Sequence, residues 1–534
     1  MKQPLLSIRN LSIDLPERGD RLKAVEDVSI SLSRNELLCI VGESGSGKSV
    51  LAHAIMGLLP KELKKSSGEI RLGGEEISRI SEKDFRHLRG SEIAMIFQEP
   101  MTALNPLMRI GDQIDETIRY HRNLPASERL TILYDAIDAV GLTDPERIAK
   151  SYPYQISGGQ RQRVMIAIAL SLEPKLLIAD EPTTALDVTT QAQILELLRQ
   201  IQRDRQMGVI FITHDFGVVA EIADQVAVLK QGKLVESGNA EQVLSDPQHP
   251  YTVQLLNAVP KFPKEARVKL HSEDNVLVVQ GLKKIYNIGG LWRKGRKIVA
   301  VNDVSFTLAK GETLSVVGES GSGKSSLGRV LMHLSDADAG SVHIGDCAMS
   351  ELKGLALRRA RRRIQMVFQD PYSSLNPRWQ VGKQIARGMH AQGRTWKESM
   401  ESASHWLERV GLDGRSLNRY PHEFSGGQRQ RIAIARALSL MPDVIIADEP
   451  VSALDVTVQE QVLRLFESIQ EEFQLSIVFI THDLRIAARI SDRIAVMNKG
   501  QIVELDVTHK LLNSPKEEYT RSLISAVPGR DWVD

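Results

Sequence analysis

The feature that most constrains this sequence is that it carries the same set of motifs twice. The string GESGSGKS stands at residues 42–49 and again at 318–325, and the string SGGQRQR at 157–163 returns at 425–431. An apolar run ending in ADEP and a second run ending in FITHD are repeated in the same order. Copies of this size are far longer than the about 20 to 50 residues of a solenoid repeat. The chain of 534 residues therefore contains two copies of one domain.

The boundary between the copies can be placed from their first strings. The second copy begins near Val276, where VLVVQGL mirrors the LLSIRNL that starts at Leu5. The stretch 261–275 is polar, contains a proline and shows no clear periodicity, so we interpret it as a linker. The predicted organisation is a first domain at 1–260 and a second domain at 276–534.

Composition excludes several kinds of site and partner. Lys plus Arg is 68 and Asp plus Glu is 67, a formal net charge of +1, whereas a dedicated nucleic-acid binder usually has a clear basic excess. The two cysteines, Cys39 and Cys347, are too few for a disulfide framework, a four-cysteine zinc site or a four-cysteine iron–sulfur cluster. No apolar run approaches the about 18 residues of a membrane-spanning helix, so an intracellular protein that is not embedded in a membrane is expected.

A glycine-rich loop follows a short apolar run in each copy. Leu37–Val41 (LLCIV) has the character of a buried parallel strand, and the residues after Ser49 have the apolar spacing of a helix. In a strand–GxxxxGK[ST]–helix context, the glycines let backbone N–H groups surround phosphate oxygens. Lys48 would reach the β- and γ-phosphates, and Ser49 would place its hydroxyl on Mg²⁺. The predicted phosphate-binding residues are Gly42, Glu43, Ser44, Gly45, Ser46, Gly47, Lys48 and Ser49, and in the second copy Gly318, Glu319, Ser320, Gly321, Ser322, Gly323, Lys324 and Ser325.

An acidic pair closes another apolar strand in each copy. Asp180 and Glu181 follow the first of these strands, and Asp448 and Glu449 follow its repeat. An aspartate at the carboxyl end of a strand can hold Mg²⁺, directly or through water, and the adjacent glutamate can orient or deprotonate an attacking water. An acidic turn after a strand is the alternative interpretation. The phosphate loop and the ALD string that follows the pair favour the catalytic one.

A histidine and a glutamine also recur at matching places. His214 and His482 each lie 34 residues after the predicted Mg²⁺ aspartate, which favours a γ-phosphate contact over a purely structural histidine. Gln98 and Gln369 each follow an apolar strand and can bridge Mg²⁺ or the attacking water, with a buried structural amide as the alternative. The predicted Mg²⁺ ligands are Ser49, Gln98 and Asp180 in the first copy and Ser325, Gln369 and Asp448 in the second.

Each copy has a second group of small residues directly before a predicted helix. These residues are Ser157, Gly158, Gly159 and Gln160 in the first copy and Ser425, Gly426, Gly427 and Gln428 in the second. The start of a helix offers free N–H donors and the positive end of the helix dipole, so it can bind an anion. A simple helix cap is the alternative. Because each copy already has a phosphate loop, a second anion-binding helix start needs its own explanation.

Together these motifs resemble the ATP-binding domain of ABC proteins, over almost the whole chain and twice. The resemblance implies an α/β fold of two tandem ABC-type P-loop NTPase domains, each with a RecA-like parallel-sheet core, an antiparallel β part and a helical signature subdomain. In that family two domains dock head to tail, and each ATP lies between the phosphate loop of one and the signature of the other. One site would then use the first phosphate loop with 425–428, and the other the second loop with 157–160. Asp187 and Asp455 would lie at the domain contact.

Two departures from the family pattern are visible. The family usually stacks an aromatic ring on adenine ahead of the phosphate loop. Tyr286 fits this role in the second copy, whereas the matching stretch of the first copy leaves Leu15, so weaker adenine binding is expected there. In the helix after the signature, the first copy has Ile168 where the second has the familiar Arg436.

Two further strings resemble those of one group within the family. EPMTALNPLMRIGDQI after Gln98 matches DPYSSLNPRWQVGKQI after Gln369, and each copy ends in a tail, HPYTVQLLNAVP at 249–260 and EEYTRSLISAVP at 517–528. These strings resemble the ATPases of bacterial dipeptide, oligopeptide and nickel importers. The fusion of two copies is similar to the YejF-type microcin C and the glutathione importers within that group.

This resemblance implies the ATP-hydrolysing subunit of an importer, with ATP and Mg²⁺ as cofactors. Two membrane permease subunits would dock just after Gln98 and Gln369, and a periplasmic or extracellular solute-binding protein would act through them. The protein would lie peripherally on the cytoplasmic face of the inner membrane and would bind no nucleic acid. Many relatives carry a cysteine-rich iron–sulfur segment after the tail; neither tail is followed by one here, so neither an iron–sulfur cluster nor zinc is expected.

Alternative functions remain open from the residues. A soluble tandem ABC ATPase acting on ribosomes or DNA, or an exporter ATPase, would share most of the motifs. The basic stretch Arg358, Arg359, Arg361, Arg362 and Arg363 could indicate nucleic acid, although a solvated helix end is favoured. The transported substrate is left open among a peptide, glutathione, a nickel chelate and a peptide antibiotic, because selectivity would belong to the partner proteins.

Overall fold

The chain divides into two compact units. The structure, a computed structural model, describes residues 3–16, 21–184, 186–262, 274–288, 296–452 and 454–533. The first unit contains residues up to 186 together with 190–259 and 528–533, and the second contains 187–189 and 260–527. Most of the predicted linker, at 263–273, lies outside the described residues. The two units have the same architecture, and each is described by itself.

The first copy contains strands and helices in alternation. Its described strands are β1 (Leu6–Asp14), β2 (Lys23–Leu32), β3 (Leu37–Val41), β4 (Lys64–Leu72), β5 (Glu75–Glu76), β6 (Ile93–Ile96), β7 (Leu176–Asp180), β8 (Gly208–Ile212), β9 (Gln225–Lys230) and β10 (Lys233–Asn239). Its described helices are α1 (Lys48–Ile55), α2 (Glu82–Leu88), α3 (Pro100–Ala103), α4 (Ile110–His121), α5 (Ala126–Ala139), α6 (Pro145–Lys150), α7 (Gly158–Leu170), α8 (Val188–Asp204), α9 (Phe216–Ile222), α10 (Ala240–Ser245) and α11 (Pro250–Ala258).

The strands of the first copy form two sheets. Among the described residues, the larger sheet has the order β10-β9-β3-β8-β7-β6, in which all neighbours are parallel except β9 and β10. The smaller sheet, β2-β1-β4-β5, is antiparallel. Strands β3, β7 and β8 are buried along their whole length, which explains why LLCIV, LLIAD and GVIFI are apolar runs rather than alternating patterns.

Helices α3 to α7 lie between β6 and β7 in the chain and form the helical part of the unit. Helix α4 buries Ile110, Ile114 and Ile118, which are spaced four residues apart and therefore share one face. Helix α7 begins directly after Ser157 and runs through the apolar stretch that sequence analysis identified as a helix.

The second copy repeats this order. Its described strands are β11 (Asn275–Ile288), β12 (Arg296–Ala309), β13 (Thr313–Val317), β14 (Ala339–Ile344), β15 (Cys347–Ala348), β16 (Ile364–Val367), β17 (Val444–Asp448), β18 (Ser476–Ile480), β19 (Arg493–Asn498) and β20 (Gln501–Val507). Its described helices are α12 (Lys324–Leu331), α13 (Gly354–Ala360), α14 (Pro371–Ser374), α15 (Val381–His390), α16 (Trp396–Arg409), α17 (Gly426–Leu438), α18 (Val456–Phe473), α19 (Leu484–Ile490), α20 (Thr508–Asn513), α21 (Glu518–Ser525) and, within 528–533, α22 (Arg530–Val533).

The sheets of the second copy match those of the first. In the part of the chain that the structure describes, the larger sheet has the order β16-β17-β18-β13-β19-β20 and the smaller one the order β12-β11-β14-β15. Only the β19–β20 pair of the larger sheet is antiparallel there. The predicted α/β class, with a parallel-sheet core, an antiparallel β part and a helical part in each copy, is confirmed.

The parallel arrangement positions the candidate site. In the first unit β3, β6, β7 and β8 run in one direction, so their carboxyl ends share one edge of the sheet. The phosphate loop follows β3, Asp180 ends β7, and Gln98 and His214 follow β6 and β8 closely. Ligands of open parallel sheets bind at this edge, beside the strand where the connections diverge.

Across the described residues, no helix has both the length and the apolar character that crossing a bilayer requires.

The core of the second unit includes an aromatic pair between α18 and β18. Phe466 and Phe479 are 1% and 0% exposed, and their rings meet edge to face at 5.9 Å between centroids. Replacing Phe466 by Ala is expected to lower the free energy of unfolding of this unit by about 3 to 5 kcal/mol, because burial, ring contact and close packing are lost together.

Hydrogen exchange in denaturant would measure this effect on the amides of β18, with the amides of β8 in the first unit as an internal control. The variant Leu355→Ala is the matched surface control, since that side chain is 70% exposed, and it should change stability by less than about 0.5 kcal/mol. Unchanged protection of β18 in Phe466→Ala would contradict the assigned core.

Candidate active site

The phosphate loop of each unit is shaped by glycines that no other residue could replace without strain. Gly42 has φ +151° and Gly47 has φ +104°. A side chain at Gly42 would collide with the carbonyl oxygen of Leu229, and one at Gly47 would meet the carbonyl oxygen of Ala24. The second unit repeats both conformations, with φ +150° and +106° at the matching glycines, Gly318 and Gly323. The loop therefore curls tightly before α1 and α12 begin.

The loop lysine is buried and held by two backbone carbonyls. Lys48 is 6% exposed, and its Nζ donates hydrogen bonds to the oxygens of Gly42 at 2.7 Å and Glu43 at 2.9 Å. Lys324 Nζ donates to the oxygens of Gly318 and Glu319, both at 2.8 Å. Burial lowers the pKa of Lys324 from its usual value. An ammonium has three N–H donors, so this buried lysine can donate to phosphate oxygens as well as to these carbonyls.

A serine and an aspartate lie side by side next to the loop. Ser49 Oγ donates to Asp180 Oδ1 at 3.3 Å, and Ser325 Oγ donates to Asp448 Oδ1 at 3.1 Å. Burial raises the pKa of both aspartates above the usual value, against the hydrogen bond from the serine. Hydroxyl and carboxylate oxygens are hard ligands of the kind that Mg²⁺ takes together with phosphate oxygens, so these residues fit the predicted metal.

The adjacent glutamate is held by three side chains. Gln98 Nε2 donates to Glu181 Oε2 at 2.8 Å, Thr184 Oγ1 donates to the same oxygen at 3.1 Å, and His214 Nδ1 lies 3.3 Å from Glu181 Oε1. The predicted glutamine, glutamate and histidine are thus brought together in one cluster.

The second unit contains the equivalent cluster. Gln369 Nε2 donates to Glu449 Oε2 at 2.9 Å, and His482 Nδ1 lies 3.3 Å from the same oxygen. Glu181 and Glu449 both adopt φ +46°, in the left-handed region, while their N–H groups still bond to the carbonyls that end β8 and β18. A non-glycine residue in that region is strained, and such strain is concentrated at functional sites.

Each glutamate forms an ion pair with its histidine. Burial works to raise the pKa of Glu181, but the hydrogen bond and positive charge of His214 outweigh it and lower the pKa to about 2. Burial works to lower the pKa of His214, but Glu181 outweighs it and raises the pKa. Glu449 and His482 show the same directions for the same causes. The histidine therefore favours the ionised carboxylate, which can accept a hydrogen bond from water.

The signature strings begin helices α7 and α17. Ser157 Oγ accepts from the N–H of Gln160 at 3.3 Å, and Gln160 Oε1 accepts from the N–H of Ser157 at 3.1 Å. Ser425 and Gln428 form the same reciprocal pair at 3.4 and 3.0 Å. The helix-cap interpretation is therefore correct for the serine and glutamine. The anion-binding role of the signature stays a prediction, and the side-chain hydrogen bonds described for each serine and glutamine are within their own pair.

The remaining predicted residues have simpler surroundings. Tyr286 lies on β11 with Lys284 Nζ 5.5 Å from its ring centroid, and Leu15 packs partly buried against the core of the first unit. Asp455 caps α18 by accepting from the N–H of Val458 at 3.1 Å. The adenine-stacking role of Tyr286 and the domain-contact roles of Asp187 and Asp455 stay predictions.

Sequence reasoning missed two kinds of residue at the site. Thr184 bonds to Glu181. A hydroxyl three residues after the glutamate in both copies, Thr184 and Ser452, was the available signal. A tyrosine of each tail, Tyr251 and Tyr519, reaches the phosphate loop. The shared Tyr-Thr pair of the two tails was visible in the sequence, but nothing in its position relates it to the loop.

Comparison with protein families gives two matches. The sequence model described as ABC transporter matches residues 25–184 and 301–452. The model described as Oligopeptide/dipeptide transporter, C-terminal region, matches residues 235–278.

Curated relatives align along nearly the full chain. The glutathione import ATP-binding protein GsiA of Escherichia coli O6:H1 is 46% identical over 562 residues, which covers 98% of this chain and 89% of the relative. The protein of the same name from Pectobacterium atrosepticum is 45% identical over 565 residues, 99% of this chain and 90% of the relative. Among solved structures, the dimeric post-hydrolysis ATP-binding cassette MJ0796 bound to ADP and Pi is similar at 30% identity and a TM-score of 0.40, covering 43% of this chain and 98% of that one.

The ion pair predicts a specific change in titration. In Glu181→Gln, the pKa of His214 is expected to fall, because the charge that raised it is gone while burial, which lowers it, remains. NMR titration of ¹³C-labelled histidine rings would measure this shift. His482 in the other unit is the control, and its pKa should stay where it is in the unmodified protein. Equal titration of His214 before and after the substitution would contradict the pairing.

Proposed function

The chain belongs to the ATP-binding proteins of ABC transporters, in the oligopeptide/dipeptide group, and from this membership we propose that it hydrolyses two ATP molecules between its halves to drive the uptake of a peptide-like solute. It is the ATP-binding subunit of an importer and an ATPase, as the sequence predicted. The alternatives of a ribosome- or DNA-directed ATPase and of an exporter have no support among these relatives.

The observation that carries the catalytic proposal is the duplicated cluster around the glutamate. Lys48 would donate to the β- and γ-phosphates while its carbonyls hold it in place, and Ser49, Asp180 and Gln98 would hold Mg²⁺. The metal would neutralise phosphate charge when it is bound. Glu181 orients the attacking water. The second half uses the equivalent residues, which are Lys324, Ser325, Asp448, Gln369 and Glu449.

The histidines complete this arrangement. His214 and His482 exchange the glutamate for a γ-phosphate contact once nucleotide is present, which frees the carboxylate to accept a hydrogen bond from water. The support for this step is geometric, because the Nδ1 atom of each histidine lies 3.3 Å from the glutamate and a ring donor is therefore present beside the predicted water.

We assign the completion of each site to the signature of the other half. Each signature begins a helix whose first N–H groups and dipole suit an anion, and each half already has its own phosphate loop. Two ATP molecules would then bridge domains 1–260 and 276–534, and loss of the γ-phosphate would release the bridge. Since the linker 261–275 joins the halves, closure would be intramolecular and independent of protein concentration.

The substrate proposal is glutathione or a peptide of similar size. Its support is the identity of 46% to proteins named for glutathione import and the match to the oligopeptide/dipeptide C-terminal region. A solute-binding protein and two membrane permeases would select and conduct the solute. The chain would act on the cytoplasmic face of the inner membrane as a peripheral subunit.

The predicted permease-docking segments of the two halves are built alike. Gln113 on α4 accepts from the N–H of Asn105 at 2.9 Å, and Gln384 on α15 accepts from the N–H of Asn376 at 2.9 Å. In each half this bond holds the loop after the glutamine against the helix that follows it. Each position on α4 can therefore be compared with the equivalent position on α15.

Charge is reversed at two exposed positions of these helices. Asp112 and Glu116 on α4 correspond to Lys383 and Arg387 on α15. The first face also carries Arg109 and Arg119, so it is near neutral. The second face borders an open cavity of about 550 Å³ lined by Arg378, Trp379, Lys383, Arg387, Trp396 and Tyr420 among others. We propose that the basic second face binds the permease with the more acidic cytoplasmic segment.

Hydrolysis is tested with Glu181→Gln combined with Glu449→Gln. ATP turnover is expected to fall by at least about 100-fold, since the group that acts on water is lost, while ATP binding is retained. Dyes placed on the two halves should report a persistent ATP-dependent closed state. The exposed Glu401→Gln is the matched control and should hydrolyse normally. Continued turnover in the double variant would reject the assigned roles.

Permease sorting is tested by charge reversal. Lys383→Glu with Arg387→Glu should weaken co-purification of one permease by at least about 10-fold, and Asp112→Lys with Glu116→Lys should affect the other, because like charges repel across an interface. The ATPase rate of the isolated chain should not change in either variant. Equal weakening of both permeases by each pair would contradict sorting by charge.

A further inference from the structure

A tyrosine from the C-terminal segment of each copy touches the phosphate loop. Tyr251 on α11 accepts, through Oη, a hydrogen bond from the N–H of Glu43 at 3.2 Å. Tyr519 on α21 accepts one from the N–H of Glu319, also at 3.2 Å. The first tyrosine is 3% exposed, so water cannot easily replace it. The same contact thus occurs in both copies of the domain.

The contacted N–H belongs to the peptide group that holds the loop lysine. The carbonyl of Gly42 and the N–H of Glu43 lie on one peptide unit, which is planar and turns as a rigid plate. The carbonyl of this peptide unit accepts a hydrogen bond from Lys48 Nζ at 2.7 Å, and its N–H donates a hydrogen bond to Tyr251 Oη. The tyrosine therefore sets the direction of a carbonyl that holds the ammonium.

The equivalent peptide unit of the second copy makes the same two hydrogen bonds. The carbonyl of Gly318 accepts from Lys324 Nζ at 2.8 Å, and the N–H of the next residue donates to Tyr519. Gly318 has φ +150°, close to the +151° of Gly42, so the plate is turned alike in both copies. The arrangement is a property of the domain and not of one sequence context.

The tyrosine is itself anchored by a carboxylate on the preceding strand. Glu236 on β10 accepts from the N–H groups of Gln248 and His249, at 2.7 and 3.1 Å, just before α11 begins. Hydrogen bonds from backbone N–H groups to a carboxylate are strong, so this carboxylate fixes the position of the turn. Lys230 Nζ also lies 4.5 Å from the ring centroid of Tyr251.

In the second copy a glutamate also holds the turn before the tyrosine, although the side chains of that turn are different. Glu504 on β20 accepts from the N–H groups of Lys516 and Glu517 at 2.9 and 3.2 Å. The side chains at the anchored turn differ between the copies, but the bonds use the backbone and so do not depend on them. The turn before each tyrosine is therefore fixed in both copies.

We propose that Tyr251 and Tyr519 are positioning residues for ATP binding, each orienting the peptide plate that places the loop lysine toward the β- and γ-phosphates. The inference rests on the proposed nucleotide site. It adds a role for the C-terminal segment of each copy, because the bonds that fix this segment would then influence the affinity for nucleotide. The tyrosines touch neither water nor phosphate in this role. They act through the lysine, so binding should depend on them more than the chemical step does.

The test removes only the two hydroxyls, in Tyr251→Phe with Tyr519→Phe in the full chain. The KM for ATP and the equilibrium dissociation constant for a fluorescent ATP analogue should both rise by about 3- to 10-fold, the range of one neutral hydrogen bond. The kcat should change by less than about twofold. Hydrogen exchange at Glu43 and Glu319 should accelerate in the absence of nucleotide, because each N–H has lost its acceptor. Tyr154→Phe, at a side chain 67% exposed, is the matched control and should leave all four quantities unchanged.

A second pair of variants probes the anchor. Glu236→Gln with Glu504→Gln keeps both tyrosines but weakens the turn that presents them, so it should raise the KM for ATP in the same direction and by less. The proposal is overturned if the double Phe variant binds the analogue as tightly as the unmodified chain, or if kcat falls while KM stays constant. Failure of the unmodified chain to hydrolyse ATP would instead count against the proposed function, and the analogue-binding comparison would still decide the role of the tyrosines.

Discussion

The site in each half depends on a buried positive charge that must be neutralised by backbone oxygens. Lys48 and Lys324 are each 6% exposed, and an ammonium in such surroundings is stable only when polar groups surround it. The two carbonyls that do so come from the start of the same loop, which forces the loop to double back and requires glycine where φ is positive. The loop carbonyls therefore hold the ammonium in position before a nucleotide binds, and its three donors allow it to bond to phosphate oxygens as well.

The second constraint is the shared direction of the parallel strands, and it explains which residues could be predicted. Ser49, Asp180 and His214 each follow a run of buried apolar residues, and parallel strands place their carboxyl ends at one edge, so their convergence follows from the pattern. The contact of Tyr251 with Glu43 could not be found in this way. It joins residues 208 positions apart, and the tyrosine comes from a short helix whose location depends on the packing of the whole unit.

The interpretation of the histidines illustrates a second limit. Their spacing from the aspartate predicted a γ-phosphate contact, which stays a prediction. The structure pairs His214 with Glu181, and equal spacing in the two copies does not reveal that pair. The same holds for the signature, where the sequence offered a cap and an anion site as alternatives. The cap is present and uses the N–H of the third helical residue, whereas the anion-binding role stays a prediction. Spacing in the sequence therefore predicts which residues lie near one another, whereas the hydrogen-bond partner of each side chain depends on the geometry of the folded chain.

The unusual backbone of Glu181 and Glu449 has a consequence for the stability of each half. Both adopt φ +46°, a conformation that glycine accepts without strain and that costs other residues of order 1 kcal/mol. Glycine at either position would thus relax the backbone and simultaneously delete the carboxylate. The same deletion would take a partner from Gln98 and from the partly buried His214, and breaking such a pair costs more than the strain it relieves, so the contacts of the carboxylate hold the unusual backbone in place.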